Sequence, residues 1–77
     1  MFLISLNGPG VNSMKIKYDK EVDVVYIILN DIPITESDEE RKGVIIDYDA
    51  EGKIVSIEIL NASKNLAQPS VVEYEVV

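Results

Sequence analysis

The run Asp47-Tyr48-Asp49-Ala50-Glu51-Gly52-Lys53-Ile54-Val55-Ser56-Ile57-Glu58 decides between two kinds of fold. A helix–loop–helix calcium site needs carboxylates at loop positions 1, 3 and 5, glycine at 6 and a bidentate glutamate at 12. Counted from Asp47, the residues Asp49, Glu51, Gly52 and Glu58 fall on those positions. The flanks argue the other way. Val44-Ile45-Ile46 on one side and Val55, Ile57 and Ile59 on the other alternate as strands do, not as helices do. Val55 stands where the calcium loop places a polar ligand or water, and Glu51 is longer than the usual Asp or Asn. The run therefore reads as a β-hairpin, with Asp49-Ala50-Glu51-Gly52 as its turn and glycine supplying the positive φ. On this reading Glu58 lies roughly 20 Å along the strand from the turn and is not expected to share an ion with Asp47 and Asp49.

The rest of the chain follows the same period of two. Met14, Ile16 and Tyr18 alternate with Lys15 and Lys17 in a first strand, and Asp19-Lys20-Glu21 makes a tight connection. The run from Val22 to Leu29 is apolar on both faces, which suits a strand at the centre of a sheet. Asn30-Asp31-Ile32-Pro33 breaks it, and Ile34-Thr35 could open another short strand. Glu36-Ser37-Asp38-Glu39-Glu40-Arg41-Lys42 reads as a solvated loop closed by Gly43, with capping-box spacing between Ser37 and Glu40 for a single helical turn. Val44–Tyr48 and Lys53–Leu60 are the third and fourth clear strands. Asn61-Ala62-Ser63 offers the start of a short helix that must end near Gln68, before Pro69. Val71-Val72-Glu73-Tyr74-Glu75-Val76-Val77 has the pattern of a last, edge strand.

Asn7-Gly8-Pro9-Gly10 is turn punctuation that sets residues 1–13 apart as an arm, a short extended segment followed by a loop, with Met14 a candidate start. Its apolar opening, Met1 to Leu6, lacks a basic flank and is not expected to be a signal peptide. No run approaches the ~20 apolar residues of a membrane span. With 77 residues the chain has room for one small domain, 14–77, whose stability is marginal unless something reinforces it. There is no cysteine and no histidine, which removes disulfides, the common zinc ligands and every Ser-His or Cys-His nucleophile system. The net charge of −7 repels phosphate backbones and suits a basic partner. One short helix is too little to cover the apolar surface of the sheet, so a homodimer is expected, through packed faces or through paired or exchanged terminal strands.

Candidate sites are few. Tyr18, Asp19, Asp23 and Tyr26 form a polar and aromatic group that could interact with a partner, although turn and edge positions explain the same residues. Glu58, beside Ser56 and facing away from Ile57 and Ile59, is expected either in solvent or paired across the sheet with Lys15 or Lys17. Asp47, Asp49 and Glu51 are weak candidates for a cation at the turn. No catalytic group, cofactor or direct nucleic-acid contact is expected.

The spaced pattern Tyr18-Asp19, Asp23, Tyr26-Ile27, Leu29, then Gly43, Asp47-Tyr48-Asp49, Gly52, Ile57-Glu58-Ile59-Leu60 and Ala62-Ser63 resembles a small prokaryotic family, domain of unknown function 2283. The resemblance spans residues 14 to about 67. It implies a compact antiparallel β domain with a helix after the Ala-Ser pair, in a family some of whose members are thought to be antitoxin-like partners of small toxins. It carries no catalytic residue. The chain departs from the pattern at both ends, where the arm precedes the usual start and Pro69 shortens the expected helix. The expectation is thus an α+β, mainly β domain of about four to six antiparallel strands with one short helix after the fourth main strand. Its expected role is non-catalytic protein interaction in the cytoplasm, as an antitoxin-like mask for a small basic protein. The alternative is a small-ligand or cation-binding module built on the Asp47–Gly52 turn.

Overall fold

The computed structural model describes residues 13–77; the arm expected at 1–13 lies, but for Ser13, outside the described residues. Five strands, β1 (Lys15–Asp19), β2 (Val24–Ile28), β3 (Glu36–Arg41), β4 (Val44–Tyr48) and β5 (Ile54–Leu60), form one antiparallel sheet, followed by the helix α1 (Ala62–Asn65). The spatial order is β1-β2-β5-β4-β3. Three hairpins account for most neighbours. The 29–35 connection carries the chain from β2 past β5 and β4 to the far edge. Leu29 N–H donates to the Val55 carbonyl at 2.8 Å, extending the β2–β5 pairing at the start of that crossing.

The register sorts the sheet into rows. Ile16, Ile27, Ile57 and Ile46 lie side by side across β1, β2, β5 and β4, and Tyr18, Val25, Ile59 and Val44 form the next row on that face. α1 and the chain after it cover this apolar face only in part. They leave an open cavity of about 310 Å³ lined by Ile16, Val25, Ile27, Ile59 and Leu66, among others. The opposite face is mixed. One row reads Lys17, Tyr26, Glu58, Ile45, Glu39, and the next Lys15, Ile28, Ser56, Asp47, Ser37. Val24, Val25, Val55 and Ala62 are the buried apolar residues, a small core for a sheet of this size.

The turns follow their residues. At the β4–β5 hairpin Asp49 N–H donates to the Lys53 carbonyl at 2.9 Å and Gly52 N–H to the Asp49 carbonyl at 3.1 Å, with Gly52 at φ 83°. The hairpin reading of this run is therefore correct. A Cβ added at Gly52 would meet nothing within 4 Å, so Gly52→Ala isolates the backbone cost of the left-handed region. That cost is about 1 kcal/mol, and calorimetry should find a melting temperature lower by about 4–8 °C.

Five expectations need correction. Residues 36–41 are not a loop or a helical turn but the edge strand β3, which moves the helix to a place after the fifth strand. Glutamate, aspartate and serine have poor β propensity, but pairing with β4 supplies what propensity withholds. Ser37 reaches Asp47, Tyr48 Oη donates to Glu40 at 2.8 Å, and Gly43 N–H donates to Glu39 at 3.0 Å. A register shift between Glu39 and Arg41 puts a bulge in this edge. Ile34-Thr35 lies outside the strands, ahead of β3.

The helix stops at Asn65, not near Gln68. Leu66 turns extended, and its side chain joins the apolar groove. A four-residue helix makes too few internal bonds to persist against that packing. The run from Val22 to Leu29 contributes only Val24–Ile28, because Asp23 adopts φ 57° and breaks the extended backbone. Segment 71–77 is not a strand. It turns after the helix through a bond from Val71 N–H to the Gln68 carbonyl at 3.0 Å and pairs with no described strand. No helix among the described residues is long and apolar enough to cross a membrane.

Candidate functional site

The mixed face gathers the most unusual chemistry. Asp47 projects from β4 at a register position directly opposite Ser56 on β5 and Ser37 on β3. It is 1% exposed, the most buried large side chain described. Ser37 Oγ donates to its Oδ1 at 2.6 Å and Ser56 Oγ to its Oδ2 at 2.5 Å. One carboxylate thus ties three adjacent strands together. Glu58 lies two residues beyond Ser56 on the same face of β5, half-buried, and its carboxyl lies near enough to that of Asp47 for the two to titrate together.

Two carboxyls this close cannot both ionise cheaply. Burial, then the hydrogen bond to Asp47 and its charge, push Glu58 from 4.5 up to about 7. Asp47 moves the opposite way. Burial alone would raise it, but the donors Ser37, Ser56 and Glu58 together outweigh that and hold it below the usual carboxylate range. The two directions agree on one picture. Below about pH 7 the pair holds one proton between its two carboxyls. Tyr26 is the cross-strand neighbour of Glu58, and Lys17 Nζ sits 5.0 Å from the centre of its ring, within cation–π range. Separated carboxyl affinities are what acid–base chemistry uses. Here both serine hydroxyls are turned into Asp47, so neither is presented as a nucleophile. What the arrangement does directly is bind strands together and store a proton.

A second cluster fixes the helix. Asp23 accepts from Tyr18 Oη at 2.7 Å, from Ser63 N–H at 3.0 Å and from Ser63 Oγ at 2.7 Å, while its own carbonyl accepts from Ala62 N–H at 2.9 Å. The bonds from Ser63, then Tyr18, lower the Asp23 pKa, and the same Asp23 bond raises that of Tyr18. The helix is capped from outside. Asn61 at its N-terminus makes no side-chain cap bond, and Asp23, 40 residues earlier than Ser63, does that work. Ala62, fully buried, leaves no room for a larger side chain at this junction.

The sequence candidates divide accordingly. Tyr18 and Asp23 meet. Asp19 stands apart, its carboxylate accepting from Glu21 N–H at 3.0 Å to shape the β1–β2 turn. Tyr26 and Glu58 are neighbours on the other face. Asp49 accepts from Glu51 and Lys53 N–H at 2.8 and 2.9 Å, and Glu51 forms an exposed ion pair with Lys53 at 3.4 Å. Among the described residues no group of three side chains is arranged to hold a metal ion. Millimolar calcium should therefore leave the melting temperature unchanged, and a rise on titration would show binding to the folded state.

Two expectations about Glu58 are overturned. It pairs with Asp47, not with Lys15 or Lys17. And Asp47 is not out of its reach, because the distance counted along β5 from Gly52 ignored that β4 returns beside β5. Ser37 and Ser56 were missed as partners. The one signal was Asp47 itself, a charge on an otherwise apolar strand.

The geometry accounts for much of the spaced pattern. Asp19, Asp49 and Gly52 make turns, Gly43 at φ 82° closes β3 onto β4, and Asp23, Ala62 and Ser63 lock the helix. Residues 15–63 match the profile of the family described as protein of unknown function (DUF2283). No curated protein and no solved structure matches the chain. The matched span takes in all five strands and the first residues of the helix, well over half of the sequence, and on that basis the chain belongs to the DUF2283 family.

Proposed function

We propose that this domain is a non-catalytic interaction module that masks a small basic protein, as an antitoxin masks its toxin. The observation that carries the reading is the β3 edge. All six residues from Glu36 to Arg41 are exposed, four of them are carboxylates, and among the described residues no strand lies beyond them. In a chain of net charge −7 this is the most concentrated acidic surface described, on backbone whose free edge can accept another strand. The acid-lined edge suits Lys- and Arg-rich surfaces and repels nucleic acid. The serine hydroxyls committed to Asp47 and the turn roles of Asp19 and Asp49 support a binding role over a catalytic one.

The test is capture from a lysate of the native host on tagged domain, eluted with a salt gradient, beside a Glu36→Lys/Asp38→Lys/Glu40→Lys variant. A small basic protein released by salt from the original domain and absent from the variant is the expected result, since charge-driven association weakens with ionic strength. Equal capture by both chains, or no basic protein on either, would defeat the reading.

A further inference from the structure

Segment 71–77 and strand β1 are complementary, and among the described residues neither has a strand partner on its free side. β1 is an edge strand whose exposed residues alternate Lys15, Ile16, Lys17. Segment 71–77 alternates Val72, Glu73, Tyr74, Glu75, Val76, with Tyr74 78% and Val76 80% exposed. Laid antiparallel with Tyr74 opposite Ile16, the segment places Glu75 against Lys15, Glu73 against Lys17 and Val72 against Tyr18. Both lysines then meet a carboxylate on the mixed face, and the apolar residues extend the isoleucine row on the other. Opposite charges at directly facing positions favour such a pair, and like charges oppose it.

The segment does not make this pairing within its own chain. Tyr74 lines a cavity of about 380 Å³ together with Met14 and Ile16, so it lies close to β1 without backbone pairing. The cause is the path leading to it. Leu66 sits in the apolar groove, and the turn from Gln68 to Val71 holds Val71 and Val72 over the face of the sheet, not beside its edge. A second copy is under no such constraint. We infer that segment 71–77 of one copy adds as a sixth strand to the β1 edge of a second copy, reciprocally, giving a two-fold dimer. The exchange closes on itself, because each copy donates one segment and receives one. It also removes an open edge and covers exposed apolar surface that the small core of the single chain leaves to solvent. This surface is separate from the acidic β3 edge at the far side of the sheet, so the two proposals stand or fall independently.

Sedimentation velocity on charge-reversed chains tests it. The unaltered chain should sediment as two copies at about 100 µM. Glu73→Lys/Glu75→Lys and Lys15→Glu/Lys17→Glu should each sediment as single copies, because each faces like with like. Their equimolar mixture should restore the dimer, since every lysine-bearing segment then meets a glutamate-bearing edge. All four altered positions are exposed, so each reversed chain should still unfold in one cooperative transition. The chain has no cysteine, so oxidising a mixture of Ile16→Cys and Tyr74→Cys chains reads the register directly, with the mixed dimer outnumbering like-with-like products. A single-copy mass for the unaltered chain, a dimer that survives in either reversed chain, a mixture that stays monomeric, or unselective cross-linking would each overturn the inference.

Discussion

Raising the pH from about 5 to about 8 should cost this domain about 1–2 kcal/mol of stability, a trend opposite to that of a protein held by ordinary salt-bridged carboxylates. The cause is Glu58, whose proton is held up to about 7 in the folded sheet against 4.5 ordinarily. Between those values the folded state binds more protons than the unfolded chain, so stability falls as pH rises, and the loss is complete by about pH 8. The full shift would correspond to about 3 kcal/mol, but Glu58 is only half-buried and solvent screens part of it. Asp47 has the opposite sign. Its depressed pKa contributes stability above the ordinary carboxylate range that is lost as pH falls through the folded value. The two together place the maximum on the acid side of neutrality. Urea midpoints from pH 4 to 9 should trace that curve. Glu58→Gln, which keeps a donor to Asp47 without a titrating proton, should flatten the fall and be the more stable protein at pH 8. A flat profile for the unaltered chain, or a slope that survives in Glu58→Gln, would remove the shared proton from the account.

Asp47→Ala should be the more damaging change, at about 2–4 kcal/mol, because it deletes the acceptor of two inward-turned hydroxyls and the carboxylate with which Glu58 titrates. A small domain has about 5–15 kcal/mol in total, so the melting temperature should fall by about 10–25 °C. The damage should be greatest at the β3 edge, where Ser37 is the tether, and hydrogen exchange should find β3 amides opening before those of β2 and β5. Asp47→Asn preserves shape and one acceptor oxygen and should cost less. Both variants should also make the pH slope shallower, since the charge of Asp47 is gone while burial, the larger cause, still holds the Glu58 proton up. A loss of stability with the slope intact would mean that Glu58 responds to burial alone.

How far the sequence reached is clearest where two segments reversed their expected roles. Glu36–Arg41 has the composition of a solvated loop and is a strand. Val71–Val77 has the composition of a strand and pairs with nothing described. A strand is a relation between two backbones, and propensity describes only one of them. Gly43 at φ 82° and the edge of β4 not taken by β5 give the charged run a partner at the right register, while the turn after Gln68 holds the start of the valine-rich segment over the face of the sheet and not beside its edge. The Asp47–Glu58 contact was hidden for a related reason. Separation along one strand was legible, but the return of a neighbouring strand was not converted into distance across the sheet.

The sequence by itself determined what depends on a few adjacent residues. Period-two alternation gave β1, β2, β4 and β5, the strand-like flanks of the 47–58 run excluded the calcium loop, and the Ala-Ser pair marked the helix start. Only the tertiary structure decided that Asp23 caps a helix 40 residues away, that Asp47 is buried between two serines, and that Glu58 keeps a proton near neutral pH. Local signals act through backbone preference and side-chain alternation, which a short window contains. Burial and hydrogen-bond partners belong to whichever strands the fold sets side by side.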